Sequence, residues 1–181
     1  MRHIPTLILM AALAPSATMA AEWQMQADAS SLGFIGSAQG ESFEGVFERF
    51  EADIVFDPSD LSNARFDVRI DMTSANTRNS ERDETLQTAD SFDTRRQPQA
   101  RYQAEVFRDL GDGRYIAEGE LTLRGVTAPV ELEFSFDGTD PAILEGETTL
   151  DRIAFDVGSG EWSSDRDIRH AVKVVTRLEL Q

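Results

Sequence analysis

The sequence predicts an antiparallel all-β domain, a sandwich or barrel of about eight strands with one short helix. Three observations carry this. Apolar and polar residues alternate strictly along several runs, the period of a half-buried strand. Turn-forming clusters of Asp, Gly and Pro separate the runs. One segment, Asn79 to Phe92, lacks the period.

The clearest run is 64–72, with Phe66, Val68, Ile70 and Met72 on one face and Arg65, Asp67, Arg69 and Asp71 on the other. The pattern recurs at 100–106, with Ala100, Tyr102, Ala104 and Val106 inward. It returns at 115–123 with Tyr115, Ala117, Gly119, Leu121 and Leu123, and at 130–136 with Val130, Leu132, Phe134 and Phe136. The last run sets Val172, Val174, Thr176, Leu178 and Leu180 against Lys173, Arg177 and Glu179. Less regular runs lie at 22–27, 31–37, 43–50, 52–56 and 142–150. Turns are expected at Asp57 to Asp60, Gly111 to Gly113 and Asp137 to Pro141. Asn79 to Phe92 reads as a helix of two or three turns, capped by Ser80 with Asp83 three residues on. Pro129 is expected at a strand's first residue, where its missing N–H breaks no ladder. Small inward residues (Ala100, Ala104, Ala117, Gly119, Gly146) tilt the choice from a filled core toward a barrel with a cavity.

The chain has 181 residues. Arg2 and His3, the apolar run Ile4 to Leu13 and Thr18-Met19-Ala20 form the pattern of a secretory leader, cut between Ala20 and Ala21. The run is too short to span a bilayer, and no later stretch is apolar enough. Residues 21–181 then form one exported domain. The formal net charge is −16, and loss of Arg2 alone makes it −17. Such a chain repels nucleic-acid phosphates and anionic membrane surfaces. Cysteine is absent, so no disulfide supports the fold and no thiol is available for a lipid anchor.

Catalytic signatures are scarce. Beyond residue 20 the single histidine is His170, beside Arg169, too little for a triad or a transition-metal centre. Carboxylates lie mainly on the polar faces of strands. A hydrolase acting on a lipid or small acid through a carboxylate pair or His170 is one alternative. A filled barrel that meets a basic protein partner through its acidic surface is another. Exposed strand edges admit pairing into a homodimer.

Five blocks, taken in order, resemble the YceI family of exported lipocalin-like proteins. They are Trp23 with Ser31 to Phe34; Gly45 to Phe47 with Phe50 and Ile54 to Asp57; Thr77, Arg82-Asp83, Leu86, Asp90, Phe92 and Pro98; Gly119-Glu-Leu-Thr-Leu-Arg-Gly-Val-Thr-Ala-Pro-Val130; and Asp151 to Phe155 with Val157-Gly158 and Gly160 to Trp162. The chain departs from the family at Ser91, at Ala100 and Tyr102, and at Arg169-His170. The resemblance implies an antiparallel lipocalin-like β-barrel in the periplasm, with a long apolar tunnel for a polyisoprenoid or an isoprenoid quinone. It implies no catalysis, no metal and no cofactor other than the bound lipid. The tunnel residues expected are Phe34, Phe47, Phe66, Val68, Ile70, Tyr102, Ala104, Leu121, Leu132, Phe134 and Phe155. Tyr102 is expected as a polar handle, and Trp162 at a rim.

Overall fold

The computed structural model describes residues 21–181; the expected leader, residues 1–20, lies outside them. The elements are β1 (Glu22–Gln24), β2 (Ser31–Ala38), β3 (Glu41–Phe47), β4 (Phe50–Val55), β5 (Arg65–Asp71), β6 (Ala75–Asn76), α1 (Ser80–Gln87), β7 (Gln99–Gly111), β8 (Arg114–Leu123), β9 (Val126–Asp137), β10 (Ala142–Asp151) and β11 (Ala171–Leu180). All strands join one antiparallel sheet in the order β1-β4-β5-β7-β8-β9-β10-β11-β2-β3-β6.

Eleven strands against the expected eight is a matter of bends. β3 and β4 are halves of one strand broken at Glu48-Arg49; the first half pairs with β2 and the second with β5. β1 and β6 are short. Strand β1 also curls the sheet onto itself. It pairs with β4, and its last residue, with Gln26 beyond it, exchanges hydrogen bonds with the end of β11 and Gln181: Gln24 N to Gln181 O at 2.7 Å, Gln26 N to Glu179 O at 2.8 Å and Gln181 N to Gln24 O at 3.0 Å.

The alternating runs place their inward residues as the sequence predicts, with one instructive exception. Val106 is 55% exposed, while Phe107 is buried. A register shift between Ala104 and Val106 inserts Glu105 as a β-bulge, which moves the inward phase by one residue. Pro129 is the fourth residue of β9, not the first. It pairs opposite Glu120 in a stretch where only one edge of β9 carries a ladder, because pairing with β10 covers Glu133 to Asp137. The helix is shorter than expected, and its cap is Asn79, whose side chain accepts from the Arg82 N–H at 3.0 Å. Asp83 instead reaches back to Thr77, accepting from its N–H at 2.8 Å and its hydroxyl at 2.7 Å.

One end of the barrel is plugged by aromatic rings. Phe56 is fully buried and meets Phe66, Phe107, Tyr115, Phe134 and Phe136 at centroid distances of 5.0–6.0 Å. Trp23 caps this group, donating its indole N–H to the Phe56 carbonyl at 2.9 Å. Phe56→Ala should therefore lower unfolding free energy by about 3–5 kcal/mol. Urea denaturation checks this, and a loss below about 1 kcal/mol would show that the ring cluster does not hold that end.

Candidate functional site

Beyond the plug, the barrel encloses a cavity of about 300 Å³, within the range of small-molecule sites. Its wall includes Phe34, Phe47, Phe66, Val68, Ile70, Tyr102, Leu121, Leu132 and Phe155. Two of the expected tunnel residues lie elsewhere. Phe134 belongs to the plug, stacked among Phe56, Phe66 and Tyr115. Ala104 sits at the level of Phe66, opposite Gly119, in the packed part of the wall. Both face inward yet lie off the cavity wall, so inward orientation alone does not place a residue on the cavity.

The space stays open because large rings lie flat on the wall. Phe34 pairs with Gly45 across β2 and β3, and a Cβ at Gly45 would strike the ring. Phe43 lies in the same way over Gly36, where a Cβ would come within 2.6 Å of it. Tyr102 covers Gly119, where a Cβ would be 2.7 Å from the ring and would also strike the Gln103 carbonyl. Each glycine supplies the room for a ring to lie along the sheet.

Tyr102 is not the expected polar handle. Its hydroxyl sits within hydrogen-bond distance of two wall carbonyls, Ala117 O at 3.0 Å and Val130 O at 3.3 Å. Burial, with the Glu131 charge second, pushes its pKa above the ordinary tyrosine value. The phenol is a neutral part of the wall.

Opposite the plug, α1, the turns after it and the segment between β10 and β11 cover the barrel. Two arginines hold this cover. Arg152 is buried and spends all five guanidinium donors on carbonyls: Nε to Arg169 O at 3.1 Å, Nη1 to Val157 O and Gly158 O at 2.8 and 2.9 Å, Nη2 to Trp162 O and Ile168 O at 2.6 and 2.8 Å. Burial pulls its pKa below the ordinary arginine value, opposed by Asp151 and Asp165. Gly158 has φ +69, and a Cβ there would lie 2.5 Å from Arg152 Nη1. Arg124 is the second. With Gly125 it forms a two-residue turn, φ +52 and +77, between β8 and β9. Its guanidinium pairs with Asp156 and donates to Ala89 O at 2.7 Å. Gly158 N adds a bond to Asp90 O at 2.7 Å. The hairpin turn thus ties the two halves of the cover together.

Towards the cover, the cavity is lined by Gly36 to Ala38 and Phe43 of the β2–β3 hairpin, by Arg82, Thr85 and Leu86 of α1 and by Trp162, whose exposure puts the mouth on this side. Arg82, on α1, lies over the Phe43 ring with its guanidinium carbon 4.3 Å from the centroid. Trp162 is 43% exposed and borders the cavity, as does Arg169. Sequence reasoning singled out Trp162 but missed these arginines as cavity residues. Arg82 and Asp83, adjacent in the helix block, point to different partners, Phe43 and Thr77.

The carboxylate pair and His170 of the hydrolase alternative are not on the cavity wall, which carries no Asp, Glu or His among the described residues. His170 has Nε2 2.8 Å from Ser163 O, and its backbone N–H donates to Asp165 at 2.7 Å. The filled barrel of the other alternative is overturned by the cavity itself.

The structure thus defines a class: a lipocalin-like antiparallel barrel, plugged at one end, with an apolar chamber opening at the other. The family model for the YceI-like domain matches residues 23–180, and the chain belongs to the YceI family. A UPF0312 protein of Vibrio parahaemolyticus is 32% identical over 136 residues, 71% of this chain and 72% of the relative. A UPF0312 protein of Ectopseudomonas mendocina is 30% identical over 164 residues, 85% and 86% of the two chains. Among solved structures, BcnA of Burkholderia cenocepacia superposes with a TM-score of 0.83 at 23% identity, covering 87% of this chain and 99% of that one. A polyisoprenoid-binding domain from Saccharophagus degradans gives 0.69 at 17% identity, covering 91% and 99%. These likenesses establish the fold.

Two substitutions test the architecture. Gly119→Ala should destabilise by about 1–3 kcal/mol through overpacking against Tyr102, read as a lowered melting temperature; an unchanged one would show that the ring does not depend on the glycine. Arg152→Lys keeps the charge but has three donors for five carbonyls. Amide hydrogen exchange over 157–169 should accelerate in it by at least about tenfold, the loss of one or more buried hydrogen bonds. Wild-type exchange there would show that the staple is dispensable.

Proposed function

We propose that the protein binds an amphiphilic lipid with a long apolar tail, of the polyisoprenoid or isoprenoid-quinone kind, and carries or stores it unchanged in the periplasm after removal of residues 1–20. The observation that supports this most is the cavity: an apolar chamber, open at one end, whose one inward phenol is already satisfied by the wall. A chamber with few free polar groups recognises bulk and apolar surface. The polyisoprenoid-binding description of the Saccharophagus neighbour points the same way.

The energetics are sufficient without special contacts. Each isoprene unit buries about five carbons, at most roughly 4 kcal/mol at about 0.8 kcal/mol per CH₂. Two units, at most roughly 8 kcal/mol, exceed the low end of an association cost of about 4–15 kcal/mol, and about four exceed the high end. The tail alone supplies the affinity.

Protein purified from its native periplasm should release a long-chain lipid into organic solvent, identified by mass spectrometry. Ile70→Trp, which fills the chamber from β5, should weaken uptake of geranylgeraniol by at least about tenfold, the loss of a few buried methylenes. Lipid-free native protein that also fails to take up geranylgeraniol would sink the proposal.

A further inference from the structure

We infer that the mouth of the cavity is a binding site for an anionic head group, a phosphate or carboxylate on the same amphiphile, with Arg82 as its principal ligand. This rests on the lipid-binding reading above and adds the chemistry of the polar end.

The first observation is a reversal of charge. The chain carries 33 Asp and Glu against 17 Lys and Arg, yet among the described residues the charged ones on the cavity wall are Arg82, Arg152 and Arg169, with no carboxylate. On the outer faces, arginines meet carboxylates: Arg69 with Asp53 at 2.7 Å, Arg101 with Asp67 at 2.5 Å, Arg114 with Glu133 at 3.1 Å. A surface this acidic repels anionic ligands at long range. An all-arginine chamber within it is a local exception, beside an apolar volume where charge interactions are less screened.

The three arginines differ in what they have left to offer. Arg152 has all five donors occupied by carbonyls; it contributes charge from within the cover. Arg169 is shared with Asp165 at 2.8 Å and its side chain is 65% exposed. Arg82 is half-buried and stacked on Phe43. No carboxylate lies within ion-pair distance of it among the described residues. Stacking engages the face of a guanidinium and leaves its N–H edge free, the edge that binds an oxyanion in bidentate fashion.

Its placement is built into the fold. Asn79 caps the Arg82 N–H and Asp83 bonds Thr77, so the start of α1 is pinned to the strand below it. Asp83 is thereby committed to Thr77, and Arg82 has no ion-pair partner among the described residues. An amphiphile with its tail in the chamber would leave its head beside this guanidinium, with Arg169 able to exchange Asp165 for the ligand.

The test compares farnesol, farnesoic acid and farnesyl phosphate by calorimetry on the wild-type chain and on Arg82→Gln and Arg82→Lys. Each variant is first shown to melt as the wild type does. At low salt, at least one anionic ligand should bind about tenfold or more tightly than farnesol, the scale of one charge-assisted hydrogen bond. Arg82→Gln should abolish that preference while changing farnesol affinity less than about threefold, and Arg82→Lys should keep part of it. Raising salt from about 20 mM to about 500 mM should shrink the preference several-fold. Whichever anion binds tighter identifies the head group as phosphate or carboxylate. Equal affinity for all three ligands, or a preference that survives in Arg82→Gln, overturns the inference and leaves lipid binding intact. Binding of none of them removes the lipid-binding reading and this inference with it.

Discussion

The chamber depends on a plug. A small barrel of about eight walls fills itself with side chains unless something else closes it. Here the closing is concentrated at one end, where Phe56 gathers Phe66, Phe107, Tyr115, Phe134 and Phe136 around a ring with no solvent exposure. Trp23 ties β1 to this group, and β1 joins β4 to the end of β11. With those strands locked, the upper walls need no side chains meeting at the axis. Alanine and glycine are tolerated there, and Phe34, Phe43 and Tyr102 lie along the sheet.

The opposite end solves a different problem. The segment between β10 and β11 has little regular structure, so its carbonyls lack ladder partners and would be costly to bury unsatisfied. Arg152 answers five of them with one side chain. A planar guanidinium is the one side chain with enough donors in a fixed geometry for this. The consequence is a buried cation with no carboxylate partner among the described residues, and the chamber inherits its charge.

Much of the fold was legible because period-2 alternation is a local signal. The runs at 64–72, 115–123 and 130–136 fall where β5, β8 and β9 do. The failures are non-local. Nothing in Ala104-Glu105-Val106 announces a bulge, which exists because β8 fixes the register opposite it. Phe134 alternates as cleanly as Leu132, yet one lies in the plug and the other on the chamber; depth along the barrel leaves no mark on periodicity. The arginines were hidden for the same reason. Arg82, Arg152 and Arg169 look like surface residues, and their convergence follows from the crossing of α1, β3 and the last loop.

The hairpin Gly119 to Val130 shows how a motif without chemistry can still belong to the site. Gly119 makes room for Tyr102, whose hydroxyl then meets the Ala117 and Val130 carbonyls. Leu121 and Leu132 face the chamber. At the tip, the turn demands a left-handed residue at Arg124, a conformation disfavoured for a side chain of this size. Its return is reach: the guanidinium grasps Asp156 and Ala89, one on each half of the cover. A smaller residue would make the same turn with less strain and hold neither. The turn's sequence is therefore set by what lies above the barrel as much as by the reversal itself. The hairpin carries glycine where the wall must thin and arginine where the cover must be held, and the chamber between them needs both.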